Sequence, residues 1–202
     1  MKRILLLAVL ALALPTAVFA GSNVDFTNSG GVLSGSSGVL TLSGSTLIAV
    51  NGLGGGLITG NNLGSVAFQT GALTSFSPAT GDYTFAAGGW FTITGNGTDG
   101  VSNGAIFTGT FSTPVTLVLK YSADGTNVYD LSGALSGTTP SGFKTSGVSI
   151  QLVIDSGKGP FDGSSTVGSG DSTVLVPEPG SLGLLGTGLI GVAGVVRRKL
   201  KA

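Results

Sequence analysis

The chain has 202 residues, 37 of them glycine, and only 9% are charged. It contains no histidine, no cysteine and a single glutamate, which excludes Ser-His-Asp and Cys-His catalysis, the usual zinc sites and a disulfide framework. The formal net charge of zero hides an asymmetry. Between residues 21 and 176 three lysines stand against eight aspartates, a net charge of −5, and no basic patch is present to neutralise phosphates, so nucleic acid is disfavoured as a partner.

Met1-Lys2-Arg3 is a short cationic start, and Ile4 to Leu14 is an unbroken apolar run ended by Pro15. Val18-Phe19-Ala20 offers small residues where a signal peptidase reads them. The run is too short to span a bilayer, so residues 1–20 are predicted to be a secretory signal cut between Ala20 and Gly21.

The body, residues 21–156, reads as short strands separated by turns, because Gly, Ser, Thr and Asn disfavour helix interiors while Thr favours strands. Val32-Leu33-Ser34-Gly35 is echoed by Val39-Leu40-Thr41-Leu42, a repeat that does not persist. Strands are expected over 46–51, 65–70, 83–87, 90–94 and 105–111, with the last two flanking a Gly/Asn/Asp loop over 95–100. Asn96-Gly97-Thr98 fits a glycosylation sequon but reads as a turn.

Val115, Leu117, Leu119 and Tyr121 alternate with polar residues up to Asp124-Gly125. The apolar pattern then resumes at Val128, which is a hairpin signal because Gly accepts the positive φ the turn needs. Val148, Ile150, Leu152 and Ile154 lie on one face and Ser149, Gln151 and Asp155 on the other, the alternation of a half-buried strand. Turn signals at this spacing predict an all-β fold, a β-sandwich of roughly ten short strands with no helix in the body. The runner-up is a β-solenoid, weakened because no fixed repeat survives. Residues 157–175 are rich in Gly and Ser and are expected to be a loop or linker.

The last segment, 176–202, is the most specific part of the chain. Pro177-Glu178-Pro179 holds the only glutamate, and Gly180 to Val196 follows as 17 residues without charge. As a helix rising ~1.5 Å per residue, that run is marginal for a ~30 Å hydrocarbon core. Arg197-Arg198-Lys199 closes it and would stay cytoplasmic by the positive-inside rule, placing residues 21–179 outside. Gly186, Gly188 and Gly191 formally make GxGxxG. They lack the preceding strand and βαβ unit of a nucleotide site and read better as small residues for close helix packing.

Proline-glutamate-proline, the single membrane-length run and the basic end together resemble the PEP-CTERM sorting signal of diderm bacteria. The resemblance implies that Pro177, Glu178, Pro179 and the Arg197, Arg198, Lys199 cluster are read by an exosortase, a membrane-embedded transpeptidase that removes the tail. It also implies export through the inner membrane, transient membrane attachment through a C-terminal helix, and a destination at the cell surface or in the extracellular polysaccharide matrix. Signal peptidase is the other expected processing partner. This signal is sometimes labelled with ice-binding proteins.

Candidate chemistry in the body is thin. Lys120, Lys144 and Lys158 sit in no motif that would make a Ser–Lys dyad, and Asp155 with Asp162 beside Phe161 is the nearest carboxylate pair for glycoside hydrolysis. Asp124, Asn127 and Asp130 are close in sequence but miss calcium-loop spacing, and turn chemistry explains them better. No enzymatic activity, metal or cofactor is expected. Trp90, Tyr83 and Tyr121 are the aromatics available to stack on a sugar, with Trp90 equally suited to a sandwich core. Thr92 and Thr94, and Thr108 and Thr110, place paired hydroxyls on one strand face, the local geometry an ice-binding surface would use. The reading that follows is an exported, non-enzymatic surface or matrix protein, with a carbohydrate-binding module or an ice-binding protein as alternatives.

Overall fold

A computed structural model describes residues 22–36, 38–53, 56–155 and 164–176. The predicted signal peptide with its expected Ala20–Gly21 cut, the Pro177–Pro179 motif, the apolar run and the Arg197–Lys199 cluster lie outside these residues. Twelve strands and no helix make up the described part: β1 (Ser22–Ser29), β2 (Val32–Ser36), β3 (Val39–Asn51), β4 (Leu57–Gln69), β5 (Leu73–Ser77), β6 (Asp82–Phe85), β7 (Gly88–Asn96), β8 (Asn103–Phe111), β9 (Val115–Ala123), β10 (Thr126–Thr138), β11 (Lys144–Asp155) and β12 (Ser164–Val176).

The all-β expectation holds, but the arrangement is one continuous sheet rather than two stacked ones. Four strand pairs run on as single bent staves. β1 and β2 both lie antiparallel to β3, with Ser29 opposite Thr46 and Val32 opposite Ser43. β8 and β9 share β10 in the same way, through Phe111–Leu135 and Thr116–Ser132. β6 and β7 follow the β8–β9 stave, and β4 and β5 follow the β6–β7 stave.

Twelve strands less these four joins leave eight staves, each antiparallel to the next in chain order. The last closes on the first. Ser164 and Thr166 of β12 pair with Ser34 and Val32. Thr27 Oγ1 donates to Asp171 Oδ1 at 2.7 Å, and Thr173 Oγ1 donates to Asp25 Oδ1 at 2.8 Å. The result is an up-and-down β-barrel, in which closure pairs strand edges that a sandwich would leave open. A solenoid is ruled out, because its coils stack in parallel and every register here is antiparallel.

Glycine makes the bends. Gly31, between β1 and β2, has φ +91°, and a Cβ there would lie 2.7 Å from the Ser45 nitrogen. Only glycine lets the two backbones approach so closely where the stave turns.

Side chains pointing inward fill most of the barrel with apolar matter. Phe68 stacks on Phe91 at 5.6 Å, and Phe111 meets both edge-on at 5.5 and 5.8 Å. Such pairs add to the stabilisation from burial itself. One wall is polar instead. Asn28 Nδ2 donates to Ser45 Oγ and to Gln151 Oε1, both at 2.8 Å, while Gln151 Nε2 donates to Ser149 Oγ at 3.0 Å. Ser172 Oγ donates to Ser149 Oγ at 3.0 Å, and all five residues are buried.

The alternation along β11 holds, with Ser149, Gln151, Val153 and Asp155 buried and the more aliphatic face outside the barrel, where Ile150 is 50% exposed. The polar partners on β1, β3 and β12 set this register, because a one-residue slip would strand Asn28 without Gln151. The expected linker over 157–175 is β12 from Ser164 onward, paired with β11 from Thr166 to Val174 and with β2 at its start. Its Ser and Gly residues pass for linker composition, yet Ser165, Val167, Gly170, Ser172 and Val174 alternate inward as barrel wall.

Candidate functional site at the barrel mouth

One end of the barrel carries the β5–β6 turn, Ser77 to Asp82, beside the β9–β10 turn. The second is a tight hairpin in which Asp124 and Gly125 have φ of 53° and 76° between paired Ala123 and Thr126. Positive φ at both central positions is the geometry whose twist matches the flanking strands, which explains the Asp-Gly signal. Asn96 likewise makes its own turn, its Oδ1 accepting the Thr98 N–H at 3.1 Å and the Thr98 hydroxyl at 2.6 Å.

Between the two mouth turns lies an open cavity of about 270 Å³, lined by Phe76, Pro78, Thr80, Leu119, Ser122, Asn127 and Tyr129 among others. Phe76 is 38% exposed and stacks on Tyr83 at 4.5 Å, and Tyr83 meets the buried ring of Tyr129 at 6.5 Å. Ser122 Oγ donates to Asn127 Oδ1 at 2.6 Å. Asp82 holds the rim by accepting the Leu119 N–H at 2.9 Å. No side chain lining the cavity carries a charge.

The three predicted aromatics do not converge. Tyr83 joins the cavity through Phe76, a residue not singled out from the sequence because a lone Phe in a Ser/Thr-rich stretch carries no periodic signal. Trp90 is not a core residue. It sits 41% exposed on the outer face of β7, since Phe91 and Ile93 take the inward positions. Tyr121 also faces out, because the register shift between Val128 and Tyr129 puts Ser122, opposite Asn127, on the cavity side in its place.

The outer face near Trp90 is hydroxylated. Thr92 lies opposite Thr108, which lies opposite Thr138 on β10, and Thr110 lies opposite Ser136. The two Thr-x-Thr pairs therefore are neighbours, joined by a third strand that the sequence pattern does not reveal. Adjacent strands rotate by roughly 20–25°, so these rows splay instead of forming a flat lattice.

Asp124, Asn127 and Asp130 do not assemble. Asn127 is buried inside the barrel, whereas Asp130 is on the outer face at 3.8 Å from Lys120. Among the described residues no group of three or more His, Cys, Asp or Glu is placed to hold a metal ion. Asp155 is buried on the inner face of β11, and Phe161 and Asp162 lie outside the described residues.

β12 runs away from the cavity end and leaves the barrel at the opposite rim, where Val174 pairs with Gly147 and the Thr145 hydroxyl donates to the Leu175 carbonyl. Fold and exit point define a closed antiparallel barrel whose last stave leads without a linker into its C-terminal segment. That segment is a PEP-CTERM protein-sorting motif: residues 175–199 match its family model, as Pro177, Glu178, Pro179 and the basic cluster imply. The motif implies recognition by exosortase-type machinery and export through the membrane to the cell surface. The chain matches no curated protein and no solved structure.

Proposed function

We propose that this chain is an exported, non-enzymatic component of the cell surface or extracellular matrix. It is delivered by an N-terminal secretory signal and released or attached after removal of its C-terminal tail. The observation that carries this reading is the sorting motif over residues 175–199, which begins inside the last barrel strand. The barrel supports it in two ways. Its hydrogen-bonded closure needs no disulfide, and Asn28, Ser45, Ser149, Gln151 and Ser172 hydrogen-bond one another inside it as a structural polar network.

C-terminal mass analysis of protein recovered from the surface of hosts with and without the sorting protease tests this. Loss of Arg197 to Lys201 only where the protease is present is expected. Recovery of the intact basic tail from the surface of the protease-positive host would overturn the proposal.

A carbohydrate-binding module is the second reading, favoured by the exposed Phe76–Tyr83 stack beside uncharged hydroxyl and amide groups. Ice binding gains only the splayed threonine rows.

A further inference from the structure

We infer that the cavity between the β5–β6 and β9–β10 turns binds one neutral sugar ring, as at the free end of a glycan chain. This deepens the carbohydrate-binding reading and rests on it. Barrel mouths are a preferred place for small-ligand sites, because the wall fixes the geometry while turns supply variable contacts. The cavity has the three properties a pyranose requires.

An apolar ring face needs an aromatic partner, and Phe76 is held upright by its stack on Tyr83 while remaining 38% exposed. Ring hydroxyls need neutral donors and acceptors, and the Ser122 and Thr80 hydroxyls and the Asn127 amide line the same space. Desolvation favours an uncharged occupant, since the lining offers no cation to an acid and the body carries a net charge of −5.

Size sets the occupant at one ring. About 270 Å³ falls below the ~300–1,000 Å³ of drug-sized pockets.

The test is saturation-transfer NMR on the full chain in mild detergent. The probes are the methyl glycosides of glucose, galactose, mannose and N-acetylglucosamine, each at about 20 mM, with glucuronate as the charged control; millimolar binding is expected of a shallow one-ring site. At least one neutral probe is expected to show transfer, and glucuronate several-fold less.

Ala79→Trp, which fills the mouth from an exposed turn position, and Phe76→Ala, which removes the stacking face, are each expected to cut transfer about tenfold with the far-UV spectrum unchanged. Trp90→Ala is expected to leave it intact. Transfer that survives both Ala79→Trp and Phe76→Ala but disappears in Trp90→Ala would overturn the cavity while keeping carbohydrate binding, moved to the outer face. Absence of transfer to every neutral probe would overturn both.

Discussion

Strand β11 offers the sharpest test of the barrel, because hydropathy and tertiary structure assign its two faces oppositely. Gln151 is buried and makes three side-chain hydrogen bonds: it accepts one from Asn28, donates one back at 3.3 Å, and donates one to Ser149. Gln151→Ala deletes all three, leaving Asn28 only its bond to Ser45 and Ser149 only its bond from Ser172. At ~1 kcal/mol net per lost bond, plus a desolvation cost of ~1–3 kcal/mol for a stranded group, the loss is about 4–6 kcal/mol.

Ile150, half exposed on the outer face, sets the contrast. Ile150→Thr preserves β-branching and removes apolar surface that is already half in water, so the cost is under ~1 kcal/mol. Guanidinium unfolding of both variants, followed by far-UV circular dichroism, measures the two values. A larger loss for Ile150→Thr than for Gln151→Ala would refute the reasoning, since it would mean that β11 is shifted by one residue with its aliphatic face inside.

Other perturbations address the bends, the aromatic core, the surface and the tail. Gly31→Ala is expected to cost more than ~3 kcal/mol because its Cβ would collide with the β3 backbone, whereas Gly30→Ala, with open space around it, should cost about 1 kcal/mol; the same unfolding assay separates them. Phe91→Ala should lose ~3–5 kcal/mol, as it removes a ring in contact with three others. Lys120→Ala should change stability by less than ~0.5 kcal/mol, because its 3.8 Å pairing with Asp130 is solvent-exposed, and unfolding at low and high salt would show any hidden contribution. Glu178→Ala should leave the Arg197-to-Lys201 tail on most of the protein in a host that processes the parent chain, read by intact mass of the membrane fraction.

Much of the strand content is legible from local signals. Asp124-Gly125 announces its hairpin because two consecutive positive φ angles suit few residue pairs, and Trp90 to Thr94 announces a strand through β-branched and aromatic alternation. The site is less legible. Phe76, Ser122 and Asn127 come together only because two turns distant in sequence meet at one mouth, and Ser122 faces the cavity only because of a register shift in the pairing of β9 with β10. β12 was hidden for a related reason. A strand whose inward positions are Ser, Val, Gly, Ser and Val has no strong hydropathy period, and its pairing with β11 and β2 supplies what its composition lacks.

By itself the sequence determines that the body is built from strands, that His- and Cys-based chemistry is absent, and that the C-terminus carries a sorting motif, because each of these depends on residue type or on spacing within a short window. Tertiary structure alone decides that the strands close into a barrel, which face of β11 is wet, and which aromatics share a cavity. Closure depends on edges more than a hundred residues apart finding each other, as Thr27 finds Asp171. The facing of β11 depends on Asn28 and Ser172, whose hydrogen bonds outweigh the pull of four aliphatic side chains toward the core.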